Sequence, residues 1–418
     1  MTSTENKPLK DARKILIVVE NLSVPFDRRV WRECQALREA GYQVSTISPR
    51  GIDVDTKSYE IIDGVSIFRY PIWQADGSFV SYLLEYGVAI LMSFWLMWVV
   101  FFRVGFDVVQ ICNPPDILIL VTLPFKLLGK RVIFDQHDLS PEIYQVQKGQ
   151  NWKNDLVVRA LLAFEKLTYV FSDVVMVVNE SCKRIAVGRG AKSDQNVFVV
   201  RNGPSMQNLR NVQPNPALKN GRKYLLSYVG MMGPQEGIDL LLRAIRILTV
   251  VHGRNDFHTR IMGGGTVLEP MKQYAVELGI ADRVTFTGSV DYPTVMEGIA
   301  SADLCLCPDP KTPLSDKCSL VKAVEYMSLG RAFVAFDLEE VHFFAEGAAS
   351  FAQPNDEGDF AAKVNELLGD EAIRKSMGDI GRERVIARLT WEHSKEALLA
   401  AYNKAYDKKI GAMVEATP

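Results

Sequence analysis

Short runs of apolar residues alternate along this chain with longer segments whose apolar positions recur every three or four residues. The short runs fit buried strands, and the longer segments fit amphipathic helices that cover a sheet. In the first half we predict strands at 15–20, 43–48, 107–112, 131–137, 173–179 and 196–202. In the second half we predict strands at 224–230, 258–264, 283–288, 304–308 and 331–337. This alternation is typical of doubly wound α/β domains with parallel sheets.

The periodic pattern is interrupted at residues 203–221, where proline, glycine and asparagine occur without periodicity, so we interpret this stretch as a linker. A chain of 418 residues also exceeds what one hydrophobic core usually organises. We therefore predict two Rossmann-like domains that face each other across a cleft, residues 1–205 and residues 222–389. Residues 390–418 are predicted to contain a C-terminal helix. This helix either packs back on the first domain or belongs to the second domain alone.

Composition narrows the class of protein. With 48% hydrophobic and 23% charged residues, the chain is typical of a globular protein. Its net charge of −2 argues against nucleic-acid binding, which normally needs a strongly basic surface. The six cysteines are scattered without the paired spacing of a zinc site, and the first residues do not resemble a secretory signal. We therefore expect a reduced, cytoplasmic protein.

One segment is unusually apolar, because no residue from 86 to 102 carries a charge. Its length is at the lower limit for crossing a bilayer. A true span would separate the strands on either side of it, so we predict that residues 80–103 dock into one leaflet, with a buried core helix as the alternative. The aromatic residues expected to contact the membrane are Phe94, Trp95, Trp98, Phe101 and Phe102.

Cations near this segment would suit an anionic lipid surface. They are Arg103, Lys126, Lys130 and Arg131. The protein would then associate peripherally with the inner face of the plasma membrane.

In open α/β sheets ligands bind at the carboxyl ends of strands, and one predicted helix in the second half is suited to bind phosphate there. Its first backbone N–H groups, those of Ser319, Leu320 and Val321, would lack partners within the helix. Lys322 lies beside them and Glu325 lies three residues further along the same face. A nucleotide sugar fits this arrangement, because Glu325 can accept hydrogen bonds from ribose or sugar hydroxyls. The alternative is an amphipathic helix with a local Lys–Glu pair.

Charged residues in the first half also follow predicted strands. Arg28 and Arg29 open a helix, where the helix dipole disfavours cations, so a bound anion nearby would explain them. Two solvated arginines are the alternative. His137 lies between the carboxylates of Asp135 and Asp138, which makes it a candidate catalytic residue, although a lone histidine is more often structural.

Loops that follow strands can shape such a site. Gly233 and Gly264 lie in loops whose backbone could approach a phosphate or a base closely, although tight turns use glycine in the same way. The turn at 113–116, with two prolines, is expected to shape the first-half site rather than to react. Asp53 and Asp55 form a DxD pair without a convergent carboxylate, so no metal is predicted.

Four motifs together resemble a known family. They are the runs at 25–33, 135–142, 201–203 and 322–330. In this order they resemble family-4 retaining glycosyltransferases of the two-domain GT-B fold, over nearly the whole chain. Within that family the chain is most similar to enzymes that build bacterial exopolysaccharide or O-antigen units on a lipid carrier.

The resemblance implies that the donor binds the second domain and the acceptor mainly the first. It implies that Glu325 binds the donor ribose, that the amides from Ser319 to Val321 bind the diphosphate, and that His137 lies near the reacting sugar. Arg28, Arg29 and Asp138 then become candidates for the acceptor or phosphate side.

Two departures from the family pattern affect the charge at the donor site. Lys317 stands where the family has the first of two glutamates. Met231 and Glu236 stand where it usually has arginine and lysine. We expect Lys322 to balance the diphosphate instead, helped by Lys317 or by the two arginines of the first domain.

The sequence therefore predicts a metal-independent retaining glycosyltransferase of the hexosyl or N-acetylhexosaminyl type. Its donor would be a nucleoside-diphosphate sugar, preferably UDP-linked, and its acceptor a lipid-linked saccharide such as a polyprenyl-diphosphate saccharide. No cofactor and no nucleic-acid partner are expected. Two alternatives stay open: a sugar-nucleotide epimerase of the same fold, and a non-catalytic, membrane-docked scaffold of the assembly machinery.

Overall fold

The structure is a computed structural model that describes residues 13–51, 54–71, 79–148, 155–205 and 212–407. The chain forms two compact units. The first unit contains Met1–Val200 and Ser394–Pro418, and the second contains Arg201–His393. The boundaries expected from the sequence lay near residues 205 and 389.

The first unit contains one mixed sheet with helices between its strands. Its strands are Lys14–Val18 (β1), Gln43–Pro49 (β2), Tyr59–Ile62 (β3), Val65–Tyr70 (β4), Val108–Cys112 (β5), Arg131–Gln136 (β6), Val174–Val177 (β7) and Val197–Val199 (β8). Their order in the sheet is β3-β4-β2-β1-β5-β6-β7-β8, and only the β3–β4 pair is antiparallel. Its helices are Arg28–Glu39 (α1), Phe79–Arg103 (α2), Ile119–Leu127 (α3), Ser140–Lys148 (α4), Leu156–Phe171 (α5) and Glu180–Gly188 (α6).

The second unit contains one parallel sheet. Its strands are Tyr224–Val229 (β9), Phe257–Met262 (β10), Val284–Phe286 (β11), Leu304–Cys307 (β12), Phe333–Phe336 (β13) and Ala349–Ala352 (β14). Their order is β11-β10-β9-β12-β13-β14. Its helices are Ile238–Val250 (α7), Leu268–Glu277 (α8), Tyr292–Ser301 (α9), Val321–Ser328 (α10), Glu339–Ala345 (α11), Glu357–Gly369 (α12) and Glu371–Arg384 (α13). Two buried apolar clusters form its core, one including α7 and α12 and the other including α9, α10 and α11.

The C-terminal helix, Trp391–Tyr406 (α14), packs on the first unit for most of its length. The ring of Tyr402 is fully buried there, and its hydroxyl donates a hydrogen bond to Oε1 of Gln110 on β5. The ring of Tyr406 stacks on that of Tyr42 with centroids 6.0 Å apart. This packing is the first of the two alternatives that the sequence left open.

The predicted α/β fold is confirmed, and every predicted strand has a counterpart within a few residues. The apolar pattern missed β3, β4 and β14. The β3–β4 hairpin turns at Asp63 and Gly64, which both have positive φ angles, 44° and 77°. An Asp-Gly pair at positive φ is a strong hairpin signal, so the sequence contained the information for this pair of strands.

Helix α2 has one buried and one exposed face. Met97 is completely buried, whereas Leu91, Trp95 and Phe102 are 69%, 58% and 77% exposed. A fully buried core helix, one of the two interpretations of this segment, is therefore wrong. By length and composition Glu85–Arg103 could cross a membrane, but a span would separate β4 from β5, which belong to one sheet.

The aromatic residues predicted to meet a membrane divide into two groups. Trp95 and Phe102 are exposed. Trp98 and Phe101 are half-buried and lie against Phe125 of α3, with ring centroids 4.6 Å and 5.6 Å from it. Phe94 is also half-buried. Two of the five predicted aromatic side chains, those of Trp95 and Phe102, are therefore exposed on the surface of α2.

Three of the four cations near α2 are engaged with carboxylates. Lys126 and Arg131 both pair with Asp173, at N–O distances of 2.8 Å and 3.5 Å. Lys130 lies 3.8 Å from Asp107. These three side chains therefore offer an anionic lipid surface less charge than the sequence suggested.

Candidate functional site

The amino end of α10 borders a cavity of about 310 Å³. The cavity lies at the carboxyl ends of β9 and β12, which are neighbours in the middle of the sheet. Open α/β sheets bind their ligands at this place. The described residues that line it are Val229, Gly230, Met231, Glu236, Asp309, Ser319, Leu320, Val321, Lys322 and Glu325.

Two backbone amides at this end of α10 have no acceptor among the described residues. Leu320 is the residue that precedes the helix, and its side chain provides no cap. The N–H groups of Val321 and Lys322 have no hydrogen-bond partner in the described part of the chain. Unpaired donors at the positive end of a helix dipole favour an anion, and here they lie at the cavity wall.

The side chain of Lys322 is held by two carboxylates. Its Nζ atom lies 2.7 Å from Oε2 of Glu236 and 2.9 Å from Oδ1 of Asp309. It also donates to the hydroxyl of Tyr228 at 3.3 Å. Burial alone would lower the pKa of Lys322, but Asp309, Tyr228 and Glu236 raise it well above its usual value. The lysine is therefore charged, and two acids already compensate its charge.

This arrangement differs from the expectation that Lys322 is available for a diphosphate. The sequence identified Glu236 as an unusual acid but gave no sign that it would contact Lys322, 86 positions away. Asp309, which follows β12, was not identified by sequence reasoning at all. Its place directly after a strand was the only signal that could have found it.

Of the other predicted donor-site residues, Glu325 lines the cavity and Lys317 does not. Glu325 lies one turn into α10, with its side chain half-buried. Lys317 ends the short turn Ser315–Lys317 and is half-buried outside the described lining. The described lining of the cavity therefore includes Glu325 but not Lys317.

The two predicted glycines shape loops rather than line the cavity. A Cβ atom on Gly264 would lie 2.4 Å from the Ser289 hydroxyl, and one on Gly233 would lie 2.6 Å from the Gln235 side chain. A stronger constraint falls on Gly263, whose φ is 141° and whose added Cβ would lie 1.9 Å from the carbonyl oxygen of Gly230. The absence of a side chain at 263 thus allows the loops after β9 and β10 to touch.

In the first unit, His137 is paired with a buried carboxylate. Its Nε2 atom lies 2.7 Å from Oδ2 of Asp135, which is completely buried. Burial alone would lower the pKa of His137, but the charge and hydrogen bond of Asp135 raise it. The ring nitrogen Nδ1 has no partner among the residues that the structure describes.

Arg29 is the second partner of Asp135. Its guanidinium donates from Nη2 to Oδ1 at 2.7 Å and from Nε to Oδ2 at 3.3 Å. It also lies 3.2 Å from Glu33 and is 8% exposed. The anion that was expected near Arg29 is therefore a carboxylate of the protein itself, and the interpretation of Arg29 as a solvated arginine is wrong. Arg28, on the same turn, is exposed.

Gln110 connects this group to the C-terminal helix. Its amide nitrogen donates to Glu33 at 2.7 Å and to Asp135 at 3.2 Å. Its carbonyl oxygen accepts from Tyr402. Burial and the neighbouring Asp135 charge raise the pKa of Glu33.

The loop that carries His137 is fixed by one asparagine. The side-chain oxygen of Asn113 accepts from the backbone N–H groups of His137, at 2.7 Å, and Asp138, at 3.2 Å. Its amide nitrogen donates to the Asp138 carbonyl at 2.8 Å. The carboxylate of Asp138 is half-buried, and burial raises its pKa. The turn at 113–116 thus positions the histidine loop, as its place in the sequence suggested.

Ligand atoms of Cys112, Asp135 and His137 lie within 4.8 Å of one another, which is close enough for a metal ion. However, the Arg29 cation already contacts both oxygens of Asp135. Burial also raises the pKa of the Cys112 thiol well above its usual value. A second cation is disfavoured here on both grounds, so we assign no metal.

The DxD pair is only half described. Asp53 lies outside the described residues. The Oδ2 atom of Asp55 accepts from the Ser23 hydroxyl at 2.8 Å and from the Phe26 amide at 3.3 Å. Asp55 therefore stabilises the loop after β1.

Two protein-family models match the chain. Residues 27–206 match the model described as Glycosyltransferase Family 4. Residues 223–370 match the model described as Glycosyl transferases group 1. The two matched regions together cover most of the chain, and both models describe glycosyltransferases.

Several individual proteins match nearly the whole length of the chain. An uncharacterized glycosyltransferase of Methanocaldococcus jannaschii is 23% identical over 90% of this chain and 94% of its own. The sucrose-phosphate synthase of Thermosynechococcus elongatus superposes with a TM-score of 0.73 at 18% identity, covering 94% of this chain and 99% of that one. HepE of Anabaena, solved in complex with UDP, gives 0.67 at 13% identity over 93% and 99%. At these identities the two solved structures show the fold alone, and this chain has the two-domain α/β architecture of the GT-B fold.

Proposed function

We propose that the protein is a metal-independent retaining glycosyltransferase. It moves a hexosyl or N-acetylhexosaminyl group from a nucleoside-diphosphate sugar, preferably UDP-linked, to a lipid-linked saccharide in bacterial polysaccharide synthesis. The observation that carries this proposal is the pair of unpaired amides at the start of α10, which border the cavity beside Glu325.

The cavity suits a donor of this kind. Its volume of about 310 Å³ lies at the lower end of the range of small-molecule pockets, roughly 300–1,000 Å³. The amides of Val321 and Lys322 would bind the diphosphate, and Glu325 would accept hydrogen bonds from the ribose. The presence of UDP in the Anabaena structure of the same fold supports a nucleotide donor.

The diphosphate must compete for the cation at this site. Glu236 and Asp309 already bind Lys322, so an incoming diphosphate would draw the ammonium group away from Glu236. The lysine side chain is long and rotatable, which makes such a movement inexpensive compared with burying uncompensated phosphate charge. We therefore expect Glu236 to weaken donor binding.

Bond cleavage places positive charge on the sugar and negative charge on the leaving phosphate. The fixed amides and the dipole of α10 stabilise the phosphate before the reaction begins. The acceptor hydroxyl attacks the face from which the phosphate leaves and gives its proton to a phosphate oxygen. The new glycosidic bond then keeps the configuration of the old one.

His137 is the candidate for contact with the reacting sugar. Because Asp135 holds Nε2, the ring presents Nδ1 as the nitrogen that can bind a sugar hydroxyl. Asn113 fixes the backbone on which the ring is mounted. Asp138 and Arg28 lie on the same unit as candidates for acceptor contacts.

The acceptor side of the proposal includes peripheral binding to the inner face of the plasma membrane. The exposed face of α2, with Leu91, Trp95 and Phe102, would enter one leaflet. Since the nearby cations are paired with Asp173 and Asp107, we expect apolar burial rather than charge to drive this binding. A lipid-linked saccharide would then be presented at the membrane surface.

A panel of UDP- and GDP-sugars tests the donor by thermal shift, since ligands that bind the folded state raise Tm. Glu325→Ala should lower the affinity for the stabilising nucleotide sugar by about 2–4 kcal/mol, if Glu325 makes charged hydrogen bonds to it. Glu269→Ala, an exposed residue of the same unit, is the matched control. An activity assay distinguishes the enzyme from an epimerase. Sugar transfer to a polyprenyl-diphosphate saccharide, together with no conversion of the sugar nucleotide to an isomer when that acceptor is left out, excludes the epimerase.

A second candidate function is a non-catalytic, membrane-docked scaffold. The observation that favours it is the compensation of Lys322 by Glu236 and Asp309, which removes the expected phosphate cation. A scaffold would bind no nucleotide in calorimetry. Measurable binding of UDP eliminates it as an account of the cavity.

A further inference from the structure

The ring of His137 is connected to the C-terminal helix by an unbroken series of hydrogen bonds. Tyr402 on α14 donates to Oε1 of Gln110, and Nε2 of Gln110 donates to Oδ2 of Asp135 at 3.2 Å. The same oxygen lies 2.7 Å from Nε2 of His137. Tyr402, Gln110 and Asp135 are each 0% exposed, so water does not substitute for the first two of these bonds, whereas the bond between Asp135 and His137 is part-buried.

The hydroxyl of Tyr402 determines which way the Gln110 amide faces. An amide has one acceptor end and one donor end, and a buried tyrosine hydroxyl is a donor to the first. With Oε1 bound by Tyr402, the NH₂ group must face the two acids, Glu33 and Asp135. The opposite orientation would place a carbonyl oxygen against the buried Asp135 carboxylate, which is paired with the Arg29 cation and has no proton to donate, and would remove one of its donors.

The amide in turn determines how Asp135 is shared. Oδ2 of Asp135 receives donors from Gln110, Arg29 and His137. Arg29 also contacts Oδ1, so the carboxylate is held in one plane by contacts on both oxygens. Losing the amide donor would leave Oδ2 with more negative charge available to the histidine.

We propose that Tyr402 and Gln110 are positioning residues that fix the Asp135 carboxylate and, through it, the ring of His137. This proposal rests on the proposed function only for the step that His137 performs. The proposal also gives α14 a role in the first unit. Tyr402 of this helix binds Gln110, which lies 292 positions earlier in the chain, and the position of the His137 ring depends on that hydrogen bond.

The effect of Tyr402 can be separated from the charges around it. The titratable and charged groups that face Asp135 and His137 among the described residues are Arg29 and Glu33 of α1, Cys112 of β5 and Asp138 of the same loop as His137, whereas Tyr402 reaches them only through Gln110. Burial raises the pKa of Tyr402 well above its usual value, so its hydroxyl is neutral. Tyr402→Phe therefore removes a hydrogen bond and no charge.

The test is the titration of His137 in the full chain, labelled with ¹⁵N-histidine and followed by NMR. The chain has five histidines, and His137→Asn identifies the signal. In Tyr402→Phe the amide of Gln110 turns or disengages, so Asp135 binds the histidine proton more strongly. The pKa of His137 should rise by about half a pH unit or more.

Tyr406→Phe is the matched control, because it makes the same change one turn further along α14. The Tyr406 hydroxyl donates to the Lys14 carbonyl and does not touch Asp135. The pKa of His137 should not change in this variant. An unchanged pKa in Tyr402→Phe, or equal shifts in both variants, overturns the proposal.

Gln110→Met provides the second variant if Tyr402→Phe fails to fold. It removes the amide donor directly and should raise the pKa of His137 in the same direction; an unchanged pKa overturns the proposal. The NMR readout needs no sugar transfer. If the pKa of His137 shifts in a chain that binds no nucleotide sugar, the positioning role is supported and the proposed function is refuted. If the chain transfers sugar and the pKa does not shift, the proposed function is supported and the positioning role is refuted.

Discussion

The Nζ atom of Lys322 lies 2.7 Å from Oε2 of Glu236, so the lysine at the start of the candidate donor helix is neutralised by an acid from the neighbouring loop. Asp309 contacts the same ammonium group at 2.9 Å. The described lining of the cavity therefore contains one cation, Lys322, and three acidic residues, Glu236, Asp309 and Glu325, before any donor arrives. Backbone amides, which carry no net charge to be neutralised, are then the groups best suited to bind the diphosphate.

Glu236→Gln should strengthen UDP binding. The change keeps the shape of the side chain and removes one negative charge beside Lys322, and we expect a gain in affinity of about tenfold, or 1.4 kcal/mol. Isothermal titration calorimetry measures it directly. Glu269→Gln, which alters an exposed Glu–Lys pair of the same unit, should leave the affinity unchanged. Equal or weaker UDP binding in Glu236→Gln would show that the acid is not in competition with phosphate.

Asp135→Asn should destabilise the first unit strongly. Arg29 and Asp135 are 8% and 0% exposed, so the substitution leaves a buried guanidinium without its main counter-charge. Breaking a buried pair in this way costs about 3–5 kcal/mol. Urea denaturation followed by circular dichroism measures the loss. Asp194→Asn is the control, because it removes an exposed ion pair with Lys183 and should lower the free energy of unfolding only slightly. A similar loss of stability in both variants would contradict the assigned role of Asp135.

Replacing Trp95 and Phe102 together with serine should weaken binding to lipid vesicles. Each exposed aromatic residue would contribute roughly 1.5–3 kcal/mol by entering the apolar region, so the double variant should bind at least about a hundredfold more weakly. Sedimentation with vesicles measures the loss. Val250 and Val251, exposed on the second unit, provide the control when both are changed to serine.

The salt dependence of vesicle binding distinguishes apolar docking from binding that is driven by charge. Because Lys126 and Arg131 are paired with Asp173, binding to neutral and to anionic vesicles should be similar and should change little with ionic strength. Binding that requires anionic lipid and disappears in high salt would contradict docking through the apolar face of α2.

Glu20→Gln should stabilise the protein at neutral pH. Burial and the nearby Glu85 raise the pKa of Glu20 from 4.5 to about 7. Between these values the folded state keeps a proton that the unfolded state loses, so stability falls as pH rises through this window. Above pH 7 the loss in the free energy of unfolding reaches about 3 kcal/mol. Urea midpoints of both proteins should agree near pH 4 and diverge by pH 8, and parallel curves would refute this account.

The fold followed from the sequence because its central parallel strands are buried on both faces. All five residues of Val108–Cys112 are buried, and such a strand forms a continuous apolar run that is easily recognised. The edge strand β14 is less apolar and only one of its four residues is buried, so it produced no comparable run. Burial alone did not decide which strands were recognised, because β4 was also missed although five of its six residues are buried.

The partners of charged residues could not be predicted in the same way. Arg29 and Asp135 are 106 positions apart, and no local pattern connects them. The helix-dipole argument correctly indicated that Arg29 needs an anion, but it could not tell a ligand from a carboxylate of the same protein. The resemblance to family-4 enzymes indicated Glu325 and His137, whereas the contact of Glu236 with Lys322 depends on the packing of two loops.

The most direct measurement of the central claim compares UDP binding by Val321→Pro and Val321→Ala in calorimetry. Proline is well tolerated at the first position of a helix and removes one amide donor at the cavity wall, whereas alanine keeps that donor. Charged hydrogen bonds contribute about 1.5–3 kcal/mol, so UDP should bind Val321→Pro at least about tenfold more weakly than Val321→Ala, while uridine binds both equally. Equal affinities of the two variants for UDP would contradict the account.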